Sequence, residues 1–293
     1  LGGKPVLVDI DEKTMNIDEK LIEAKITKKT KVIMPMHYGG YPCNMDAIKK
    51  IAKKHKLIII EDAATAIGTS YKDKKVGNIG DMTCFSFHPI KNMSTGDGGM
   101  VTTNNKLFAE RIMLLRLHGM SKEAWKRHTA AGSWKYDIVE PGFKYNMTDI
   151  QAALGRVQLK RLDGFIKIRK QYAKIFDSEL SKIPEITVPI HSKDSGTAYN
   201  LYTIRIDTKN LTVTRDEIVE LLKQEQIGVS VYYIPLYEFS YFQKHLKLKS
   251  SDYPHASAVY QNMMSLPLYP KMTLKDVNRV INTLSKIIIK HRK

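Results

Sequence analysis

The sequence predicts an α/β fold in which a mostly parallel sheet is flanked by helices and followed by a smaller α+β domain. Two apolar, β-rich segments at residues 31–38 and 57–62 flank an amphipathic segment at residues 45–56, with short links between them. Strand, helix and strand in this order form a βαβ unit, whose two strands run parallel. A third apolar run follows at residues 82–88, and past Pro184 the pattern changes to shorter, mixed elements.

Weaker patterns complete the N-terminal part of the large domain. Alternation of apolar and polar residues predicts a strand at residues 5–10, and apolar spacing predicts a helix at residues 15–24. In residues 45–56 the apolar side chains share one helical face and lysines occupy the other, with Asn44 as a suitable N-cap.

The middle of the chain predicts one more strand and helix before the pattern is lost. Glycines let the backbone turn tightly into a strand at residues 100–103, and apolar spacing predicts a helix at residues 106–117. Residues 121–141 show little periodicity, and we predict a functional loop there, with an aromatic-stapled surface loop as the equal alternative. Its notable side chains are Trp125, Arg127, His128, Trp134 and Tyr136.

A long helix is predicted from Thr148 toward Ile183, with Gly164 as the point where it could break. Its buried side is expected to be lined by apolar residues, namely Ile150, Leu154, Val157, Leu162 and Ile166.

The smaller domain is expected at residues 184–293, after a large domain at residues 1–183. Alternation predicts strands at residues 199–207 and 229–234. Apolar spacing predicts helices in three segments, namely residues 214–226, 256–264 and 273–289.

Composition indicates a folded protein of a reducing compartment. Hydrophobic residues make up 43% of the 293 residues, enough for a real core. No apolar run approaches the length of a membrane span, and no signal peptide is recognisable. Cys43 and Cys84 form neither a disulfide framework nor a metal-ligand pattern. We therefore expect a cytoplasmic protein without a membrane partner or a metal site.

The formal net charge of +17 raises the question of nucleic-acid binding. The excess is mostly lysine, 37 Lys against 10 Arg, and it is scattered through predicted helices. Specific nucleic-acid sites depend on arginine for bidentate contacts. A general lysine bias, or modest attraction of an anionic small substrate, explains the charge at least as well. We therefore expect no nucleic-acid partner.

An acid and a lysine follow two successive predicted strands. Asp62 closes one strand, and Lys91 lies three residues beyond the next, which ends in His88. Ligands bind at the carboxyl ends of strands in open α/β sheets. A lysine amine can bond to the carbonyl of pyridoxal phosphate (PLP), an acid can keep the pyridine nitrogen protonated, and the Ser86 hydroxyl could hold the phosphate. The residue types also allow a plain alternative, with Asp62 as a helix cap and Lys91 as one solvated lysine among many.

Ordered motifs across the chain narrow these alternatives. They are EDAA at 61–64, GD at 80–81, CFSFHPIKN at 84–92, TGDGG at 95–99, GFKYNMTDIQAA at 142–153 and SLPLYP at 265–270. In this order they resemble the DegT-like sugar aminotransferases, a PLP-dependent family of the aspartate aminotransferase superfamily with fold type I. The resemblance covers nearly the whole chain, and it implies that the long helix bridges the two domains.

The resemblance implies a reaction and two principal residues. PLP would be the cofactor, Lys91 its Schiff-base lysine and proton shuttle, and Asp62 the partner of its pyridine nitrogen. The amino group would pass from L-glutamate, leaving 2-oxoglutarate, to a nucleotide-linked keto-deoxysugar. Relatives that remove a hydroxyl group carry histidine at the position of Lys91, so the lysine favours amino transfer.

The resemblance also implies further contacts and a homodimer with shared active sites. Thr65 stands where a glutamine commonly contacts the cofactor ring, and Ser86 would hold the phosphate. Lys144 and Asn146 belong to a segment that reaches the cofactor phosphate of the neighbouring subunit. The residues expected to face the substrate are His88, Tyr232 and Tyr237. Tyr232 and Tyr237, like Asn200, stand where histidines are common in the family.

The start of the chain resembles the middle of a family member. We therefore expect it to lack the family's first strand and the Gly/Thr loop that holds the PLP phosphate. The alternative to an enzyme is a truncated or catalytically impaired homologue that acts as a partner or scaffold protein.

Overall fold

The computed structural model describes residues 2–121, 135–190 and 195–293, which hold seven α-helices and ten strands. The helices are α1 (Met45–His55), α2 (Lys106–Leu115), α3 (Asp149–Leu180), α4 (Arg215–Gln224), α5 (Ser240–Leu246), α6 (Pro254–Asn262) and α7 (Leu274–Lys290). The strands are β1 (Val32–Ile33), β2 (Ile58–Asp62), β3 (Ser70–Tyr71), β4 (Lys74–Lys75), β5 (Met82–Ser86), β6 (Gly99–Thr102), β7 (Ile186–Thr187), β8 (Ser195–Gly196), β9 (Tyr202–Ile206) and β10 (Met263–Leu266).

A mostly parallel sheet with strand order β1-β2-β5-β6 organises the N-terminal half. β1 pairs parallel with β2 and β2 parallel with β5, whereas β6 returns antiparallel beside β5. A single bridge from Met36 to Asp62 extends the first pairing beyond β1. The carboxyl ends of β2 and β5 therefore share one edge, and the predicted α/β class is confirmed.

Helix α1 forms where the sequence predicted it. The Asn44 side chain accepts a hydrogen bond from Ala47 N at 3.3 Å and caps the helix. Met45 and Ile48 are fully buried against a core that includes Ile59 of β2. This packing closes the βαβ unit and fixes the direction of β2.

The C-terminal part packs around an antiparallel sheet of order β10-β9-β7. Tyr202, Ile204 and Ile206 of β9 are fully buried in a core shared with α4 and α7. The last turns of α3 add Ala173 and Phe176 to this core. The predicted domain boundary between residues 183 and 184 stays a prediction, because α3 packs against both the N-terminal and the C-terminal core.

Helix α3 runs from Asp149 to Leu180 without a break at Gly164, and Thr148 caps it with a reciprocal capping box to Gln151. The prediction of its buried side is wrong for the first turns of the helix. Within the described chain, no element covers the first three of the five predicted side chains. Their exposed fractions are 84% for Ile150, 43% for Leu154 and 54% for Val157, whereas Leu162 is 5% exposed and Ile166 is half-buried.

Two N-terminal predictions differ from the structure. Residues 5–10 form no strand among the described residues, and the contact there is a single bridge between Ile10 and Ile17. Val6 is 59% exposed, so the alternating pattern has no neighbouring strand to pair with. Residues 15–24 form 3-10 turns at Glu19–Leu21 and Glu23–Lys25 instead of one helix.

The predicted strand at residues 229–234 is reduced to one pair, Ser230 with Ser265 of β10. After that pair the chain leaves the sheet edge toward Pro235, which has no N–H group to continue a ladder. The predicted loop residues Trp125, Arg127, His128 and Trp134 lie outside the described residues. Of the helices that are described, none is long and apolar enough to cross a bilayer.

Candidate active site

Asp62 lies at the carboxyl end of β2 with its main chain fixed on both sides. Its N–H donates to Pro35 O at 2.8 Å, and its carbonyl accepts from His37 N at 3.0 Å. Its Oδ1 accepts from Ala64 N at 3.0 Å. Among the described residues none donates to Oδ2, so one carboxylate oxygen of this half-buried side chain can take a ligand.

Lys91 lies on a loop that folds back against the end of β5. Phe87 N donates to Gly98 O at 2.9 Å, and Thr95 N donates to Phe87 O at 3.0 Å. Inside this closed loop, Lys91 N donates to His88 O at 3.0 Å. The Lys91 side chain is half-buried. The loop thus holds an amine at the same sheet edge as Asp62.

The Lys91 amine and the Asp62 carboxylate interact electrostatically. Burial lowers the pKa of the Lys91 amine, and the Asp62 carboxylate opposes that shift without cancelling it. Burial, and to a smaller extent the same carboxylate, raise the pKa of the Cys84 thiol. Burial disfavours the charged amine, so the neutral fraction of Lys91 is larger than that of a solvated lysine. A neutral amine is the form that attacks a carbonyl.

We expect Lys91 in the cofactor-free protein to titrate below the ordinary lysine value of 10.5. Acetylation by acetic anhydride across a pH series, quantified at Lys91 by mass spectrometry, measures this midpoint, and exposed Lys167 in the same digest is the reference. Asp62→Asn should lower the midpoint further, because it removes the carboxylate that raises the pKa of Lys91. A midpoint at or above 10.5, or an upward shift in Asp62→Asn, would contradict this expectation.

Glu61, which precedes Asp62, forms a fully buried ionisable pair with His37. Its Oε2 lies 2.9 Å from His37 Nε2, and its Oε1 accepts from Gly80 N and from Thr83 Oγ1, both at 2.7 Å. His37 Nδ1 accepts from Cys43 N at 3.1 Å, so Nε2 carries the hydrogen toward Glu61. Burial raises the pKa of Glu61, but these hydrogen bonds outweigh it and leave the pKa below its ordinary value. Sequence reasoning gave His37 no specific partner.

Ser86 is the last residue of β5, and His88 follows it in the loop that carries Lys91. Ser86 is half-buried, and its hydroxyl accepts from His88 N at 3.4 Å. His88 is exposed, with Nδ1 accepting from Ile90 N at 3.3 Å. Their roles toward phosphate and substrate stay predictions.

Thr65 is committed to the main chain. It is 2% exposed, and its hydroxyl donates to His37 O at 2.9 Å. Its predicted contact with the cofactor ring stays a prediction, but the observed bond favours a role in fixing the turn that follows Asp62.

Lys144 and Asn146 lie on an exposed segment that leads into α3. Lys144 is exposed and pairs with Leu117 through one β-bridge. Phe143 and Tyr145 flank it as a stacked pair, with ring centroids 5.0 Å apart and Tyr145 74% exposed. Asn146 Oδ1 is buried without a hydrogen-bond partner in the described part of the chain. Met147, which follows Asn146, packs against the cluster of Phe87 and Met93 on either side of Lys91. The roles of Lys144 and Asn146 toward a neighbouring subunit stay predictions.

Two of the tyrosines have different surroundings. Tyr232 is half-buried, and its carbonyl accepts from the Tyr38 hydroxyl. Tyr237 is 3% exposed, stacks on Tyr253 and bonds Ser257 Oγ at 2.8 Å. Its predicted contact with substrate is untested, but these contacts account for the side chain without a ligand.

Tyr233, which sequence reasoning did not single out, interacts electrostatically with Asp62. It is 43% exposed, and burial, the neighbouring Tyr232 and the Asp62 carboxylate raise the pKa of its phenol. Its hydroxyl therefore belongs to the Asp62 environment. The available signal was its position directly after Tyr232.

The donor set fits PLP, the cofactor that the sequence resemblance implies. A half-buried amine suits the aldehyde, and Oδ2 of Asp62, to which no described residue donates, suits a protonated ring nitrogen. The Ser86 hydroxyl and the loop at residues 94–98 offer donors for phosphate. The described residues contain no cluster of three side chains able to hold a metal ion.

Comparison with known proteins agrees with this geometry. The model of the DegT/DnrJ/EryC1/StrS aminotransferase family matches residues 1–285. The spore coat polysaccharide biosynthesis protein SpsC of Bacillus subtilis is 46% identical over 288 residues, covering 98% of this chain and 74% of that protein.

Two solved structures are similar in fold along nearly the whole chain. One is described as a sugar aminotransferase, Spr1654 of Streptococcus pneumoniae, in its PMP form. It has a TM-score of 0.91 at 33% identity and covers 99% of this chain and 77% of that one. The other is PseC of Helicobacter pylori, an aminotransferase involved in the biosynthesis of pseudoaminic acid. Its TM-score is 0.91 at 29% identity, covering 99% of this chain and 75% of that one.

Proposed function

The chain belongs to the DegT/DnrJ/EryC1/StrS aminotransferase family, and on this premise we propose that it moves an amino group from L-glutamate to a nucleotide-linked keto-deoxysugar, with Lys91 and Asp62 at the reacting centre. The family and its solved members establish that the protein is a PLP-dependent sugar aminotransferase. The donor, the form of the sugar and the roles of individual residues are the proposal.

The observation that carries the proposal is the half-buried Lys91 amine beside Asp62 at the carboxyl edge of the sheet. PLP, when bound, acts as an electron sink next to the carbon that loses its proton. Lys91 would hold the cofactor and then carry a proton to and from the α-carbon of the donor, since its lowered pKa leaves the amine neutral more often. Asp62 Oδ2 would accept a hydrogen bond from the ring nitrogen and keep that nitrogen protonated.

The remaining residues would bind the two anionic ligands. Ser86 is placed to donate to the cofactor phosphate, and Lys144 and Asn146 would approach it from a second subunit. His88, Tyr232 and Tyr233 would face the sugar. The net charge of +17 favours the approach of a doubly anionic nucleotide-sugar.

One set of assays tests the amino donor, the sugar acceptor and the alternative that the protein is a scaffold. PLP-loaded protein should change its visible absorbance with L-glutamate, more than with L-aspartate or L-alanine at equal concentration, and 2-oxoglutarate should reverse the change. A panel of nucleotide-linked keto-deoxysugars should then give an aminated product by mass spectrometry. Equal use of a free keto-sugar would refute the nucleotide requirement. PLP binding without transfer from any donor would support the scaffold reading.

We further propose a homodimer in which α3 contributes the contact. Its first turns expose Ile150, Leu154 and Val157 on the side that was predicted to be buried. The exposed stacked pair Phe143–Tyr145 lies just before them. A second copy would cover this surface and bring Lys144 to the neighbouring site.

Ile150→Asp should therefore dissociate the dimer. Light scattering after gel filtration should give about twice the 33.5 kDa chain mass for the parent and the single-chain mass for the variant. The expected shift arises because a buried carboxylate at the centre of an apolar contact is left unpaired. Ile289→Asp, at another exposed isoleucine on α7 (58% exposed), is the control and should stay dimeric. A parent of single-chain mass would refute the proposal.

A further inference from the structure

Asn92, the residue after Lys91, is held at both ends of its side-chain amide. It is 4% exposed. Its Nδ2 donates to Ala198 O at 2.8 Å, and its Oδ1 accepts from Asn200 Nδ2 at 3.2 Å. Rotating the amide of Asn92 would set its oxygen against the Ala198 carbonyl, so this orientation is fixed. The Lys91 loop is thus tied to residues 198–200, which are more than a hundred positions away in sequence.

Residues 198–200 are themselves closely held. Ala198 N lies within hydrogen-bond distance of Thr69 Oγ1 at 3.2 Å and of Gly40 O at 3.3 Å. Gly40 has a φ of +94°, and a Cβ there would lie 3.1 Å from Tyr199 N and 3.2 Å from Asn200 N. The backbone that carries Asn200 therefore packs directly on the turn after β1 and on the segment that follows Asp62.

Arg169 of α3 fixes the same backbone from the other side. It is 6% exposed, and its Nη1 donates to Leu268 O at 2.6 Å and to Tyr199 O at 3.1 Å, with Asn200 O at 3.5 Å. Burial lowers the pKa of its guanidinium to about 10. No carboxylate in the described part of the chain pairs with it. A buried cation is costly to desolvate, and here main-chain carbonyls of residues 199 and 268 offset that cost.

We propose that Asn200, supported by Arg169, is a positioning residue that holds the Lys91 loop in place relative to Asp62. The inference rests on the proposed role of Lys91 as the residue that bonds PLP. Hydrogen bonds of Phe87 fix the base of the loop, and the Asn92–Asn200 contact fixes its inner side. A reacting amine displaced by about 1 Å loses on the order of a hundredfold in rate, so this contact governs how readily Lys91 reaches the carbonyl.

The first measurement is the rate at which PLP becomes attached to Lys91, trapped with borohydride at timed intervals and quantified by mass spectrometry. Asn200→Ala and Asn92→Ala should each slow attachment about tenfold or more. The double variant should be no slower than Asn92→Ala alone, because that variant already loses the bond that Asn200→Ala removes. Asn262→Ala removes an asparagine whose side chain bonds its own helix, to Ala258 O, and should attach PLP at the parent rate.

The second measurement needs no cofactor. In Asn200→Ala the acetylation midpoint of Lys91 should rise toward 10.5, because a released loop lets water reach the amine and relieves the burial that lowers its pKa. Asn200→His restores an N–H donor and should return the attachment rate to within about threefold of the parent. A general loss of stability would not move this midpoint in the folded protein.

The inference is overturned if Asn200→Ala keeps both the parental attachment rate and the parental Lys91 midpoint, or if the two single losses multiply in the double variant. If Asn200→Ala does not fold, Asn200→Asp replaces it, because aspartate keeps the shape of the side chain and removes the N–H donor. Its PLP attachment should then be slowed about tenfold or more, and attachment at the parent rate would overturn the inference. PLP attached to a different lysine in the parent would overturn the proposed function instead, and the acetylation midpoint would still decide the role of Asn200.

Discussion

Lys91→Ala should abolish amino transfer, with a loss of more than about 10⁴-fold in turnover, while leaving the fold intact. The variant removes the group that bonds the cofactor and also the base and acid that move the proton, and proton transfer alone contributes about 10²–10⁴-fold. Lys91 is half-buried on a loop, so its removal costs little packing. Turnover is measured by product mass spectrometry at saturating PLP, with thermal unfolding recorded on the same samples.

Two controls sharpen this test. Lys91→Arg keeps the positive charge near Asp62 but cannot bond a carbonyl in the same way, so it should be as inactive as Lys91→Ala. Lys167→Ala removes an exposed lysine of α3 and should leave turnover within about twofold, since surface substitutions have small effects. Turnover of Lys91→Ala at the parent rate would disprove the proposed role of this lysine.

Glu61→Ala should destabilise the protein by about 3–5 kcal/mol, because breaking a buried ionisable pair leaves its partner uncompensated. Three donors, from His37, Gly80 and Thr83, would lose their acceptor inside the sheet. Glu61→Gln should cost less, about 1–3 kcal/mol. Its amide keeps one acceptor oxygen, so its NH2 group would face either the His37 Nε2 hydrogen or the Gly80 N–H. His37 cannot change tautomer to relieve this without losing the bond from Cys43 N.

Denaturant unfolding of cofactor-free protein measures these losses, with Glu220→Ala as the control. Glu220 is an exposed carboxylate paired with Lys223, and its removal should change stability by no more than about 0.5 kcal/mol.

The stability that Glu61 contributes should also depend on pH. The folded pKa of Glu61 is below 4.5, so the stability that it contributes is present above that pH and is lost as the pH falls through the folded value. The difference in the free energy of unfolding between the parent and Glu61→Gln should therefore shrink in acid. A difference that stays constant with pH would contradict an ionised Glu61 paired with His37.

Periodicity was enough to predict the elements that bury a continuous apolar face. The β2 and β5 strands and the α1, α4 and α7 helices have such faces, and the structure places them within two or three residues of the prediction. Residues 5–10 and 229–234 also have strand-like patterns, but in the described chain they lack a partner strand along their length. Pairing depends on what lies beside a segment in space, and a single sequence does not contain that information.

The same limit applies to the site. Asp62 and Lys91 could be found because each directly follows an apolar run, and their meeting follows from parallel strands. Asn200 was noted only as a departure from the family pattern, since nothing in its surroundings in the sequence indicates a bond to Asn92. Glu61 was given no role in the sequence prediction. Alternation along β2 sends its carboxylate into the core and that of Asp62 toward the ligand edge.

The continuity of α3 has a consequence for unfolding cooperativity. One uninterrupted helix of 32 residues places Leu162 in the cluster formed by Phe87 and Met93, which flank Lys91, and Phe176 in the C-terminal core. The two cores can melt separately only if the helix comes apart between them, near Gly164, where a side chain would meet no neighbour. A single thermal transition is therefore expected, and damage to the C-terminal core should raise amide hydrogen exchange around Lys91.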